Sequence, residues 1–382
     1  MALRILLAFD KFKGSLTSSE AAEAFALGLR DVVPSVEVDV AEVSDGGDGL
    51  VTTLCKAMGG ELCRTMVHDP LNRPHEALWA TIEGGATAVI EMSEAAGLRL
   101  LEESEYNPLR TSTYGVGELM LGALDRGCRR LILGLGGSAT NDGGMGMLQA
   151  LGVRFLDAEG RLLAASGEAM CRVATIDISG LDARLEGVDI VVASDVDNPL
   201  YGERGAAYVY APQKGATNYD VELLDAGLKR YHEAVRSAVG EDYATRPGAG
   251  AAGGVGYALM AALGATMRSG VELVMEMTRF VERASRCDVI VTGEGRLDRQ
   301  TLMGKAPSGV LSVGRRLGVD VIAVGGSVSD AEALVEGGFS RVYAATPEGM
   351  ALREAMKRDT AQQNLRRVAH VVAREILAHG AL

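Results

Sequence analysis

The chain has 382 residues, which is too long for one ordinary hydrophobic core, so we expect two domains. It is 47% hydrophobic and 23% charged, and its 49 glycines against six phenylalanines indicate a folded α/β protein with many tight turns. The formal net charge of −13 argues against a nucleic-acid partner, because phosphate backbones require a basic surface, but it leaves small anionic substrates open.

The N-terminal segment predicts two β-α units. Leu3–Phe9 is typical of a strand and is followed by the loop DKFKGS. A helix should then begin at Thr17, whose spacing to Glu20 is that of a capping box. Val36–Val43 is typical of a second strand, and it ends in the loop SDGGDG before another helix. Both polar loops follow strands at their carboxyl ends, where open α/β sheets bind ligands.

The pattern then changes to antiparallel signals. Ala77–Ile82 and Ala86–Met92 flank the turn EGG, and this spacing predicts a hairpin. A second antiparallel region is expected within residues 153–215, where Gly202–Gln213 is typical of a glycine-punctuated strand.

From Cys287 onwards the alternation of strands and helices returns. The predicted elements are strands at Asp288–Val291, Val319–Val324 and Arg341–Ala345 and helices at 306–317 and Asp330–Glu336. The N-terminal and C-terminal β-α units each supply half of a sheet. We therefore expect an α/β fold with a discontinuous Rossmann-like parallel-sheet domain, residues 1–70 plus 286–382, and a second α/β domain of mixed sheet, residues 71–285, inserted into it.

The cysteines and the apolar segments predict a cytoplasmic protein that does not bind a membrane. The five cysteines form no CxxC pair and lie mostly in apolar segments, as buried free thiols do in a reducing compartment. The apolar run Ile5–Phe9 is too short for a signal peptide. Residues 247–267 carry no charge, but a proline and six glycines favour a loop and a buried helix over a membrane span.

The segment LILGLGGSATNDGGMGMLQALG, Leu131–Gly152, predicts a strand, a polar glycine-rich loop and a short helix. Glycines let the backbone approach a ligand closely, and the free N–H groups of a helix N-terminus favour an anion. The loop residues expected to bind substrate or phosphate are Gly136, Gly137, Ser138, Thr140, Asn141 and Asp142.

A dinucleotide-binding interpretation of the same segment has to be considered. Gly134, Gly136 and Ala139 have the fingerprint spacing, and Asp157 follows at the distance expected of a ribose ligand. The loop continues well beyond the point where a Rossmann turn enters its helix, so NAD binding is disfavoured. A Walker A motif is absent, because Gly304-Lys305 is followed by Ala306.

Charged side chains follow several predicted strands. Phosphoryl transfer needs cations on the phosphates, carboxylates for Mg²⁺ and a group that accepts or orients the acceptor proton. The carboxylates are Asp10, Asp45, Asp48, Asp195, Asp197, Glu294 and Asp298, and the lysines are Lys11, Lys13, Lys214 and Lys305. Each loop alone could be a helix cap or an Asx-Pro turn, and it is their recurrence that indicates a site.

Five segments in order resemble those of the bacterial glycerate kinase family, which includes the glycerate 2-kinases of glyoxylate and glucarate breakdown. They are AFDKFKGSLTSSEAA, SDGGDG, GLGGSATNDGGMGML, SDVDNPLYGERGAAYVYAPQKGA and VTGEGRLDRQTLMGKAP. The resemblance covers essentially the full length and implies a Rossmann-like domain with an inserted α/β domain. It also implies ATP-dependent phosphorylation of D-glycerate with Mg²⁺ at the 2-hydroxyl, with the 3-hydroxyl as the alternative. Ser194 stands where this family's motif is expected to have cysteine.

Residue chemistry suggests roles within that reaction. Asp45 or Asp195 is expected to accept or orient the proton of the glycerate hydroxyl. Asp48 is a further candidate for this role or a ligand of Mg²⁺. Lys11, a candidate catalytic residue, and Lys13 are expected to hold anionic oxygens of the transferring phosphate or of the glycerate carboxylate. The expected anion-binding residues are Lys11, Lys13, Ser15, Lys214 and Arg296, and the expected Mg²⁺ ligands are Glu294 and Asp298.

Other questions stay open at the level of sequence. It does not show which loop takes ATP and which takes glycerate, and a homo-oligomer is neither indicated nor excluded. If the two domains share one active site, we expect them to close about hinges at the domain crossings near residues 70 and 285. The competing functions are an NAD-dependent oxidoreductase and a two-domain binding protein for small molecules.

Overall fold

The computed structural model describes residues 3–44, 46–47 and 49–379. The chain forms two compact units, one of Met1–Asp45 with Val271–Leu382 and one of Gly46–Gly270. The second unit is therefore inserted into the sequence of the first.

The strands, numbered in chain order within the described residues, are β1 (Arg4–Phe9), β2 (Glu37–Val40), β3 (Glu61–His68), β4 (Pro74–Ile82), β5 (Thr87–Glu91), β6 (Arg130–Gly134), β7 (Arg154–Leu156), β8 (Thr175–Asp177), β9 (Asp189–Ala193), β10 (Thr266–Arg268), β11 (Val289–Leu297), β12 (Asp320–Val328) and β13 (Arg341–Ala344). The helices are α1 (Ser18–Val32), α2 (Leu50–Met58), α3 (Ser93–Ala96), α4 (Tyr114–Asp125), α5 (Met145–Ala150), α6 (Gly167–Met170), α7 (Ala206–Tyr210), α8 (Asn218–Val239), α9 (Val255–Leu263), α10 (Gly270–Met277), α11 (Phe280–Ala284), α12 (Ala306–Leu317), α13 (Ala331–Glu336), α14 (Leu352–Ala355) and α15 (Arg358–His379).

The first unit is built on a five-stranded sheet in the order β13-β12-β11-β1-β2, with every neighbouring pair parallel. Alternate residues of β1 face opposite sides: Ile5 and Leu7 pack in the core under α1 and α15, and Leu6 packs in the core that contains α12. A Cβ on Gly28 would lie 2.5 Å from the Arg366 carbonyl oxygen, so this glycine permits the close packing of α1 on α15. The Rossmann-like prediction is confirmed, as is the capping box at the start of α1.

The second unit has a mixed six-stranded sheet in the order β10-β9-β6-β5-β4-β3. Strands β5, β6, β9 and β10 are mutually parallel, whereas β4 runs antiparallel to both β3 and β5. The predicted hairpin around EGG is thus confirmed, and β7 and β8 form a separate antiparallel pair.

The crossings between the units differ from the expected positions near 70 and 285. Residues 46–70 join the second unit because β3 pairs with β4 over eight residues and α2 packs against β4 and β5. Residues 271–284 join the first unit, where Val271 and Phe280 lie in its core. The predicted strand at Gly202–Gln213 is wrong: its alanine-rich centre forms α7, with Ala206 and Ala207 buried.

The segment at 247–267 forms a loop followed by α9, as predicted. In the described part of the chain, no helix is both long and apolar enough to span a membrane. All five cysteines are free thiols, four of them buried and Cys287 half-buried.

Candidate active site

In the second unit, polar loops leave the carboxyl ends of neighbouring parallel strands. Gly134 at the end of β6 pairs with Ala193 at the end of β9. The glycine-rich loop 135–144 and the segment that contains Asp195 therefore leave the same edge of the sheet side by side. Asp195 is exposed there. The structure brings these two predicted parts of a site together within one unit.

Asp142 anchors the glycine-rich loop from inside. It is fully buried, and its carboxylate accepts hydrogen bonds from the Thr113 backbone N–H and hydroxyl, both at 2.9 Å. It also accepts from the backbone N–H groups of Gly144 and Gly146, both at 3.1 Å. Burial raises the pKa of this carboxyl, and the four donors oppose that effect. Asp142 therefore holds the start of α5, whereas the sequence suggested direct contact with substrate.

Two glycines after Asp142 are required by the packing. Gly143 and Gly144 have φ of +65° and +74°. A Cβ on Gly143 would lie 2.8 Å from the ring of Tyr231, and one on Gly144 would lie 2.5 Å from the Cβ of Ala258. Side chains at these positions would be strained in both backbone and packing.

Lys214 lies behind the same loop. It is 1% exposed, and its Nζ donates a 2.6 Å hydrogen bond to the Thr140 carbonyl oxygen. Burial lowers the pKa of the amine to about 7, and the charge of Asp142 opposes this shift. The expected phosphate contact by Lys214 is therefore not what this geometry shows; the side chain braces the loop.

Several buried polar atoms at this edge have no hydrogen-bond partner within the described part of the chain. The Thr140 hydroxyl and both amide atoms of Asn141 are buried without a hydrogen bond to any described residue, and so is the hydroxyl of Ser93 after β5. Buried groups of this kind are rare and mark places where water or a ligand completes the bonding. Ser138 lies beside Gly97, with which it forms an isolated β-bridge.

Asp45 and Asp48 lie outside the described residues, so their predicted roles stay predictions. Glu91, a buried carboxylate at the end of β5, lies next to this segment and was not predicted from the sequence. It accepts hydrogen bonds from the N–H groups of Gly49 at 3.0 Å and Val51 at 2.8 Å, and so caps the start of α2. The sequence signal for Glu91 is that a charged residue ends the otherwise apolar strand TAVIE.

In the first unit, the loop after β1 lies beside the C-terminal part of β11 at the carboxyl edge of the parallel sheet. Phe9 pairs with Gly293, and a Cβ on Gly295 would lie 3.4 Å from the Lys13 backbone nitrogen. The loop after β1 carries Lys11, Lys13 and Ser15. The hydroxyl of Ser15 is buried and has no hydrogen-bond partner among the described residues. The loop that carries these predicted anion-binding residues thus runs beside the polar end of β11.

The carboxylates at the end of β11 are already engaged by the protein. The Glu294 carboxylate accepts a 2.8 Å hydrogen bond from the Thr301 hydroxyl and lies 3.4 Å from the Lys305 Nζ. Burial raises the pKa of Glu294. Asp298 accepts from the Gln300 N–H at 2.9 Å and lies 3.3 Å from the Nε of Arg296, an exposed side chain.

Glu294 fits the expected role of a Mg²⁺ ligand poorly, because an ammonium group already lies 3.4 Å from its carboxylate, where a cation would bind. Among the described residues, no group of three or more His, Cys, Asp or Glu side chains is placed to hold a metal ion. The contacts of Glu294 with Thr301 and Lys305 were not predicted from the sequence, and they favour a role in holding the Lys305 ammonium group over a role as a metal ligand.

Asp157, the acidic residue that the dinucleotide-binding alternative requires, is bonded within its own turn. Asp157 accepts from the backbone N–H groups of Glu159 and Arg161, at 3.0 and 2.9 Å, and from the Arg161 Nε at 2.8 Å. The Asp157 carboxylate therefore stabilises this turn, and its position does not support a role as a ribose ligand. The loop also runs to Gly144 before α5 begins.

Each unit therefore carries a polar, glycine-rich edge at the carboxyl ends of parallel strands, as α/β enzymes do. The sequence model described as the glycerate kinase family matches residues 5–377. The chain belongs to this family, and it is a kinase.

Individual relatives agree with this over nearly the whole chain. A protein named glycerate kinase from Halalkalibacterium halodurans is 44% identical over 92% of this chain and 93% of its own length. One named glycerate 2-kinase from Escherichia coli is 41% identical over 93% of each. A crystal structure from Salmonella typhimurium LT2, assigned as a glycerate kinase 2, has 39% identity, a TM-score of 0.88 and full coverage of both chains.

Proposed function

We propose that the protein transfers the γ-phosphoryl group of MgATP to the 2-hydroxyl of D-glycerate, giving 2-phospho-D-glycerate and ADP. The observation that carries this proposal is the agreement over 93% of the chain with the relative named glycerate 2-kinase. Two glycine-rich edges, one with the lysines of the loop after β1 and one with the carboxylate of Asp195, are consistent with it, since phosphoryl transfer is achieved by positioning and electrostatic stabilisation. In this proposal Mg²⁺ arrives as the complex with ATP.

The proposed roles follow the chemistry of the side chains that the polar loops carry. Asp195, or Asp45, takes the proton of the 2-hydroxyl as that oxygen attacks the γ-phosphorus and the bond to the β-phosphate oxygen breaks. Lys11 and Lys13 neutralise the oxygens of the phosphates. The Thr140–Asn141 segment supplies both donors and acceptors and suits the acceptor substrate, which has a carboxylate and two hydroxyls.

³¹P NMR of the purified protein with ATP, Mg²⁺ and D-glycerate tests the proposal. We expect a phosphomonoester signal that matches authentic 2-phosphoglycerate and grows with ADP. A 3-phosphoglycerate signal would keep the kinase and overturn the position of transfer. If folded protein forms neither product, D-glycerate is not its substrate.

The variant Asp195→Asn is expected to lower kcat at least about 100-fold with little change in the KM for MgATP, because a general base contributes on that order. Asp45→Asn is the parallel test of the alternative base. The matched control is Asp197→Asn: this side chain is on the same loop, is 77% exposed and lies 3.7 Å from Arg204. Near-normal kcat in both Asp195→Asn and Asp45→Asn would rule out both base assignments.

A further inference from the structure

The pair formed by Glu294 and Lys305 has no place in the proposed roles so far. The Lys305 Nζ lies 3.5 and 3.4 Å from the two oxygens of Glu294, at a longer distance than a tight ion pair. An ammonium group has three N–H donors, and the two oxygens of Glu294 engage at most two of them. The Lys305 side chain is 34% exposed, so the remaining donor can reach a ligand.

The pair is poorly explained by stability. Glu294 is 13% exposed, and removing a carboxylate from water is costly. An ion pair with a partly exposed lysine returns only about 0–1 kcal/mol. The hydroxyl of Thr301 fixes one oxygen of Glu294, and Thr301 is itself held by the Asp298 N–H at 3.1 Å. The Thr301 hydroxyl thus fixes a largely shielded carboxylate whose other partner is the ammonium group of Lys305.

The surroundings of the pair indicate the ligand. Glu294 lies in β11 one residue beyond the last pair of this strand with β1, and the adjacent Gly295 approaches the backbone of Lys13 on the loop after β1. Lys305 immediately precedes α12, a helix of 12 residues whose dipole favours an anion at this end. Lys305, through its contact with Glu294 on β11, and the loop after β1 therefore lie at the carboxyl edge of the same sheet.

We propose that Lys305 binds a phosphate oxygen of the nucleoside triphosphate and that Glu294 is a positioning residue that orients the Lys305 ammonium group. This inference rests on the proposed function and assigns the carboxyl edge of the first unit to the nucleotide. It also replaces the expected role of Glu294 as a Mg²⁺ ligand.

Calorimetric titration with MgATP in the absence of glycerate tests the inference. Lys305→Met should weaken MgATP binding about 10- to 100-fold, the effect of one charge-assisted hydrogen bond. Glu294→Gln should weaken it less, about 3- to 10-fold, because the lysine is present but less well oriented. The double variant should bind within about 2-fold of Lys305→Met, since Glu294 acts through Lys305. Lys305→Arg should recover part of the loss.

Two further measurements separate this role from its rivals. The Mg²⁺ concentration for half-maximal activity at saturating ATP should be unchanged in Glu294→Gln; an increase of tenfold or more would make Glu294 a metal ligand and overturn the proposal. A change in the KM for D-glycerate with unchanged MgATP binding in Lys305→Met would assign the lysine to the acceptor and overturn it too.

The matched control is the exposed pair of Glu354 and Lys357 in the same unit. Glu354→Gln and Lys357→Met remove the same charges and should leave MgATP binding and kcat unchanged. Thermal unfolding followed by circular dichroism establishes that each variant is folded. If the wild-type protein binds MgATP but does not phosphorylate D-glycerate, the proposed function fails while the binding series still decides the role of Lys305.

Discussion

Asp142→Ala is expected to lower the free energy of unfolding of the second unit by about 4 kcal/mol, because four buried donors lose their acceptor at once. Two of these donors belong to Thr113 and two are backbone N–H groups at the start of α5. The single tryptophan, Trp79, lies buried in β4 of this unit. Its fluorescence during urea denaturation therefore reports the unfolding of the second unit.

Two other variants show how the cost arises. Thr113→Val removes a hydroxyl that donates to Asp142 and accepts from the Met147 N–H at 2.9 Å, and we expect a loss of about 2 kcal/mol. Asp157→Ala removes a turn carboxylate whose arginine partner is exposed, and about 1 kcal/mol is expected. A loss below about 1 kcal/mol in Asp142→Ala would contradict the anchoring role.

Features that depend on neighbouring residues were predictable from sequence. The capping box needs only Thr17 and Glu20, which are three residues apart, and the structure shows both of its hydrogen bonds. Helix α12 begins and ends where predicted, since Pro307 and Gly318 mark its two ends. The hairpin of β4 and β5 follows from two apolar runs with a short glycine turn between them.

Features that depend on distant residues were not predictable in this way. The boundary of the second unit was misplaced because the pairing of β3 with β4 and the packing of α2 are tertiary choices that local pattern does not encode. Lys214 follows a helical turn in a polar segment, and nothing in that segment indicates that its amine reaches Thr140, 74 residues away. The same holds for Glu91, which caps a helix some 40 residues earlier in the chain.

Lys214→Met is expected to change the pH dependence of stability. In the wild type the folded state binds the Lys214 proton with a pKa of about 7, against 10.5 for an ordinary lysine. Above pH 7 the unfolded state holds more protons than the folded state, so the contribution of Lys214 to the free energy of unfolding rises with pH. The rise is on the order of 3 kcal/mol between pH 7 and 9.5. Methionine does not titrate, so the free energy of unfolding of the variant lacks this rise with pH.

Urea denaturation followed by Trp79 fluorescence between pH 6 and 9.5 measures this difference. Asp142 acts electrostatically on Lys214 and on Tyr231, Tyr257 acts on Tyr231, and all three groups are present in wild type and variant. The exposed Lys357→Met serves as the control and should leave the pH dependence unchanged. Parallel curves for wild type and Lys214→Met would show that the buried amine keeps its proton over this range.

Activity then separates the charge of Lys214 from its hydrogen bond. A neutral amine still donates to the Thr140 carbonyl oxygen, so the wild-type loop stays braced on both sides of pH 7. Methionine has no N–H donor, and it leaves this carbonyl without its lysine partner at every pH. The ratio of wild-type to Lys214→Met kcat should therefore be the same at pH 6 and pH 9. A ratio that falls towards one above pH 7 would mean that the charge, and not the hydrogen bond, holds the loop.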